Sequence, residues 1–446
     1  MARTGLVTAP RYYVLESLAM RRFFPLLLLP ALAALPACGG GGSGSGDETR
    51  TVLVDYNHDE FAGSFLGMYP RNVNVHPGDT LVFKQAWTGE PHTVTFGTAW
   101  DEVAEGVPAL QKWIKEGGPD PFEDLPPETQ AAVEEKFSKL PFALGGGYAA
   151  SQNAAQPCFL DEGVPPEDPD TPCQKRPQPA FNGRQSYYSS GIIPYEGNQG
   201  NRFEVPLSAD IAPGDYAYYC AVHGPEQSGV ITVKAAGADI PSQSEVDRQA
   251  RREIEAVAEP MLEGYEQAKA GRLEVEGLNV KPPLSGFFVD ELGFAAFGSE
   301  FVPRELRAKV GTPVTWTVVG GHTISFDVPR YLPILTFADD GKVTLNPRVA
   351  RPQGGWPGQE EEEGGEEEGG GEEEGPPPEE EGGGEEGEEE GPPELEVLDA
   401  GEWDGSGFVS SGVVGEVKYT VTFTKAGTYK YACLIHPRMV GEVVVS

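Results

Sequence analysis

Two segments far apart in this chain spell the same pattern. One reads Tyr216-Ala-Tyr-Tyr-Cys220-Ala-Val-His223-Gly-Pro-Glu-Gln227-Ser-Gly229 and the other Tyr429-Lys-Tyr-Ala-Cys433-Leu-Ile-His436-Pro-Arg-Met439-Val-Gly441. Each places a thiolate and an imidazole three positions apart on one tight loop, followed by an amide or thioether and a closing glycine. A second histidine lies upstream of each, His92 in Glu-Pro-His-Thr-Val-Thr-Phe and His322 in Gly-Gly-His-Thr-Ile-Ser-Phe. The surroundings repeat as well. Pro70-Arg71 lies eight residues before Gly78 and Pro303-Arg304 eight before Gly311, while Tyr188-Ser-Ser-Gly191 matches Val409-Ser-Ser-Gly412. A chance motif does not carry its neighbourhood with it, so the repeat marks two units of one architecture.

The bland readings are a buried structural cysteine beside a surface histidine, or half of a zinc site. Structural zinc favours several thiolates, and no second cysteine lies near either loop. A soft thiolate with two imidazoles and a weak fourth donor is instead the set that a mononuclear copper takes. On the Cys220/His223 and Cys433/His436 loops and the upstream His92 and His322, the sequence resembles the cupredoxin (blue copper) family twice over. The resemblance implies an all-β chain of two cupredoxin-like Greek-key β-sandwiches, each with one type-1-like copper. It assigns His92, Cys220, His223 and Gln227 to the first site and His322, Cys433, His436 and Met439 to the second. The axial position of the first site departs from the Met pattern. Counting back from Gly229, as Met439 stands to Gly441, selects Gln227; counting forward from His223 selects Glu226. The flanking strand fixes register better than the loop does, which favours Gln227.

The residues left over restrict the chemistry. The chain has six histidines, four of them in the two sites. His58 and His76 remain, at polar turns, and read as solvated loop residues. No His-x-His pairs are present for a trinuclear cluster, and two spare histidines do not complete a three-His catalytic copper. The expectation is single-electron transfer without substrate chemistry, hence a carrier and not an enzyme; the alternatives are a protein that buffers or delivers copper and a subunit of a copper redox enzyme.

Met20-Arg-Arg-Phe-Phe-Pro-Leu-Leu-Leu-Leu-Pro-Ala-Leu-Ala-Ala-Leu35-Pro-Ala-Cys38 combines positive charge, a short apolar run and small residues before a cysteine. This is the pattern of an export signal, and Leu35-Pro-Ala-Cys38 resembles a bacterial lipobox. It implies acylation of Cys38, a true start at Met20 and anchoring at the outer face of the cytoplasmic membrane. Residues 39–50 are then a Gly/Ser-rich tether. Of the five cysteines, Cys158 and Cys173 are left, and an oxidising exterior permits a disulfide between them. Closing that loop is worth on the order of 3 kcal/mol in the chain-entropy model.

The first unit is expected over residues 51–236, with a partly helical insertion at about 97–181 holding helices over 100–116 and 127–140. Ser242-Gln-Ser-Glu245 is a capping box opening a helix to about Lys269, with Pro260 inside it, read as part of a spacer over 237–280. The second unit covers 281–446 and contains a disordered acidic tract at about 354–394. The formal net charge is −37, and nineteen Glu in 360–394 account for about half of it. Acidity of this kind argues against nucleic-acid binding and reads as a solubilising loop or a lure for a basic redox partner such as a cytochrome, with a membrane oxidoreductase as the other expected class.

Overall fold

The computed structural model describes residues 48–98, 112, 178–193, 201–275, 278–328, 335–337, 343–345 and 395–446. Apart from Lys112, which is helical, the expected insertion helices lie outside the described residues, as do Cys38, Cys158, Cys173 and the acidic tract.

Alternating apolar residues build two β-sandwiches. In Thr80–Gln85 and Asn72–Val75 every second side chain is buried, the period-2 pattern of a half-covered sheet. The first sandwich pairs a four-stranded sheet, in the order Met68–Tyr69, Thr49–Val54, Thr80–Gln85 and Arg202–Pro206, with a five-stranded one. The latter runs Asn72–Val75, Gly224–Val233, Gly214–Cys220, Thr95–Phe96 and Tyr188–Ser189. Val52, Val54, Leu81 and Phe83 meet Val73, Phe96, Tyr218 and Ile231 between them. Burial of side chains of this size is worth about 1.5–3 kcal/mol each.

The second sandwich repeats the design. Its larger sheet orders Gly63–Phe65, Ala296–Val302, Leu284–Phe287, Pro313–Val318, Lys418–Phe423 and Val397–Trp403. The facing sheet orders Glu305–Ala308, Val440–Val445, Gly427–Ala432, Ser325–Phe326 and Val409–Ser410. Trp316 fills this core and donates its indole N–H to Tyr431 Oη at 3.1 Å. Each sandwich carries a tyrosine four residues before its loop cysteine that ties the corner: Tyr216 Oη donates to Ala212 O (2.8 Å) and Tyr429 Oη to Lys425 O (3.0 Å).

The sandwiches are not independent beads. Gly63–Phe65, from the first unit's sequence, is an edge strand of the second unit's sheet, pairing with Ala296–Gly298. Helix α1 (Gln243–Lys269) starts at the expected capping box and continues through Pro260, where the lost backbone bond costs about 3 kcal/mol. It is more than a spacer. Its buried face, Ala250, Ile254, Ala258, Met261 and Ala268, shares one apolar cluster with Phe61 and Phe65 on one side and Leu284, Phe287 and Val302 on the other. That cluster locks the two sandwiches together and outweighs the proline.

Candidate metal centres

Each upstream histidine and its loop meet at one end of a sandwich. The residue after the histidine does the tying. Thr93 N–H donates to Cys220 Sγ (3.3 Å) and Thr93 Oγ1 accepts Ala221 N–H (2.6 Å). In the second sandwich Thr323 N–H donates to Cys433 Sγ (3.3 Å) and Thr323 Oγ1 accepts Leu434 N–H (2.6 Å). The closing glycines set the register. A Cβ on Gly229 would lie 2.6 Å from Tyr218 Cζ, and one on Gly441 2.6 Å from Tyr431 Cζ; each tyrosine stands two residues before its cysteine. Between Gly224 and Ser228 the pairing slips, and the bulge carries Gln227.

The result is two buried donor clusters, His92/Cys220/His223 and His322/Cys433/His436, with the ligand atoms of each within 4.8 Å of one another. In the first, Cys220 Sγ is 3.6 Å from His223 Nδ1, and Gln227 Oε1 lies 2.8 Å from His92 Nδ1 and 3.0 Å from His223 Nδ1. Gln227 Nε2 donates to Gly67 O (3.4 Å), which turns the amide oxygen inward. Of Glu226 only the backbone is described. In the second, Cys433 Sγ is 3.6 Å from His436 Nδ1 and 4.0 Å from His322 Nδ1, and the two Nδ1 atoms are 3.1 Å apart. Met439 is fully buried, and its backbone closes the loop through Met439 N–H to His436 O and Cys433 N–H to Met439 O, both 2.9 Å. A first-row ion about 2.0–2.3 Å from each N and S donor requires donors roughly 3–4 Å apart. Both clusters meet that requirement.

The electrostatics favour the thiolates and leave protons on two imidazoles that a bound cation has to displace. Burial alone would push both thiols up, but the hydrogen bonds and charge of the paired histidines hold Cys220 and Cys433 well below the ordinary thiol range. Against burial, contacts to Asp55 and Cys220 lift His92 to about 10, and contacts to Cys433 and Glu90 lift His436 to about 9. His223 is raised for the same kind of reason, whereas burial and the charge of His436 lower His322.

Two carboxylates that the sequence analysis did not single out complete the picture. Asp55 Oδ2 lies 3.0 Å from His92 Nε2, and Glu90 lies 3.4 Å from His223 Nε2 and 2.9 Å from His436 Nε2. Both are fully buried. A carboxylate can only accept, so each fixes the ring proton on Nε2 and leaves the Nδ1 lone pair for a metal. The repeat offered a signal for both. Asp55 follows Val54, which pairs with Gln85, as Gly286 follows Ser285, which pairs with Val318. Both Asp55 (φ 66) and Gly286 (φ 86) are left-handed, and a Cβ on Gly286 would meet His322 Nε2 at 2.1 Å. Glu90 sits where the first loop is longer, residues 86–91 between Gln85 and His92 against residues 319–321 between Val318 and His322. His58 and His76 stand apart from both clusters. Each lies in a loop, half-buried, with His58 stacked on Phe61 (5.1 Å) and His76 bonded to Ala238 O (2.8 Å).

No family model and no curated protein matches the chain. Among solved structures, a reduced amicyanin variant aligns at 22% identity over 33% of this chain and 74% of its own, TM-score 0.15. Reduced auracyanin from Roseiflexus castenholzii aligns at 16% over 43% and 99%, TM-score 0.21. A purple cupredoxin from Nitrosopumilus maritimus aligns at 20% over 33% and 83%, TM-score 0.14. With two sandwiches in one chain and a His/Cys/His cluster at an end of each, the fold is all-β and double. Among the described residues no helix is long and apolar enough to cross a membrane.

Proposed function

We propose that this protein is an extracytoplasmic electron carrier with two type-1-like copper sites, His92/Cys220/His223/Gln227 and His322/Cys433/His436/Met439. The observation that carries this is the pair of buried His/Cys/His clusters, each with its donors spaced for one small ion and its thiol favoured as thiolate. Bound copper would supply a reversible one-electron couple there. The protein's part is to hold a soft donor set nearly still as charge changes. The Thr93 and Thr323 clamps fix the thiolates, the carboxylates at Asp55 and Glu90 orient the imidazoles, and full burial keeps water from the site. Lipidation at Cys38 would tether the carrier to the outer face of the membrane, with a cytochrome or membrane oxidoreductase as partner.

The test is the visible spectrum and metal content of copper-loaded protein. Two coppers per chain with intense thiolate-to-copper absorption are expected, and Cys433→Ser should abolish one contribution and spare the other. Zinc as the sole bound metal, or colour indifferent to both Cys220→Ser and Cys433→Ser, would overturn the reading.

A further inference from the structure

We propose that Glu90 bridges the two metal sites, so that an electron held at one passes to the other inside the protein through the chain His223–Glu90–His436. This rests on the copper reading above. The geometry is a single buried carboxylate with one oxygen for each site: Oε2 at 3.4 Å from His223 Nε2 and Oε1 at 2.9 Å from His436 Nε2. Each imidazole turns Nδ1 toward its cysteine and Nε2 toward Glu90. The route from one donor cluster to the other is therefore two rings, one carboxylate and two hydrogen bonds.

Other contacts also cross between the two units. Arg438, two residues after His436, crosses to the first unit with Nη1 donating to Asn57 Oδ1 (2.8 Å) and His58 O (2.6 Å) and Nη2 to Asp59 O (3.0 Å). Val222, inside the first loop, packs against the cores of both sandwiches, and Trp87, on the loop that carries Glu90, packs against the second core. Phe297 lies edge-on to His436 with centroids 5.9 Å apart. His223 is 5% exposed and His436 1%. An electron leaving either cluster through these rings thus meets Glu90 before it meets solvent. Burying an ionised carboxylate is costly unless it is paired and hydrogen-bonded, and the extra loop residues that bring Glu90 here give it two imidazole partners, one from each site.

The step balances by itself. One site loses an electron, the other gains it, and no proton or co-reactant is consumed. The direction follows from the asymmetry of the sites. The first has an amide oxygen at Gln227 and a carboxylate on His92, both favouring the oxidised ion. In the second the Cys433 thiolate accepts N–H from both Thr323 and Ile435 (each 3.3 Å), which favours the reduced one. Electrons therefore run from the first site to the second.

The experiment is pulsed one-electron reduction of the fully oxidised, copper-loaded full chain, following absorption at both sites. Wild type should redistribute the electron at a rate independent of protein concentration. Glu90→Leu should slow that step at least about tenfold. Glu90→Gln, whose single oxygen can accept from only one imidazole, should fall between. A second readout needs no electron flow. Proton NMR of the diamagnetic Cu(I)-loaded protein should show slowly exchanging imidazole N–H resonances from His92, on Asp55, and from His223 and His436, on Glu90; one of the latter two should be lost in Glu90→Gln and both shifted in Glu90→Leu, with the His92 resonance unmoved. Arg438→Ala, which cuts the surface clasp and leaves the bridge, should keep the rate within about twofold of wild type. A blue, two-copper wild type whose rate is unchanged by either Glu90 variant, or lowered as much by Arg438→Ala, overturns this inference alone. A wild type that takes up no coloured copper overturns the function and this inference together.

Discussion

Replacing Asp55 by Asn is expected to weaken metal binding at the first site by about 10–100-fold and leave the second unchanged. Asp55 Oδ1 accepts Tyr56 N–H (2.5 Å) and Phe65 N–H (2.9 Å), while Oδ2 accepts Thr88 Oγ1–H (2.5 Å) and faces His92 Nε2 (3.0 Å). In Asn the oxygen stays with the two backbone donors and the NH2 replaces Oδ2. That NH2 donates to His92 Nε2, which moves the ring proton to Nδ1, the atom that must face the metal. The position is left-handed (φ 66), which Asn tolerates, so the backbone has no reason to move. The charge-assisted bond lost is worth about 1.5–3 kcal/mol, matching the 10–100-fold typical of removing such a partner. Competition titration with a chelator, read at each site's own absorption, measures the effect. Gly286 stands in the corresponding place of the second sandwich, so that site is the internal control. Unchanged affinity at the first site, or an equal loss at both, would refute the tautomer argument.

Gln227→Met should raise the first site's potential by roughly 60 mV or more, a tenfold change in the oxidised-to-reduced preference, while Glu226→Ala leaves it in place; spectroelectrochemistry decides between them. Copper uptake should strengthen as pH rises from 6.5 toward 9. Binding must displace protons from His92 and His436, held up to about 10 and about 9, whereas the thiols, held well below the ordinary thiol range, compete less for theirs; affinity flat across that window in a pH series of titrations would contradict the sign. Cys38→Ser should move the protein from the membrane fraction to the soluble one, and retention after a high-salt wash would refute the anchor.

What the sequence determined by itself is whatever local spacing dictates. Cys-x-x-His on a tight loop, a closing glycine that fixes the loop's register and the Ser242/Glu245 capping box are all short-range patterns, legible because the backbone's own geometry imposes them. Gln227 was reachable in the same way, by register against Gly229. Tertiary structure decided the rest. Asp55 is 37 residues from His92, and Glu90 is 346 residues from His436; the repeat marks both positions as departures between the two units, but no local spacing names the imidazoles they meet. Nor does periodicity along α1 say which two surfaces its buried face will join, or that Gly63–Phe65 will complete the other sandwich. A buried carboxylate finds its partners only when packing has closed the space around it, so whether Glu90 meets a histidine of one donor cluster or of both was decided by how the sandwiches dock.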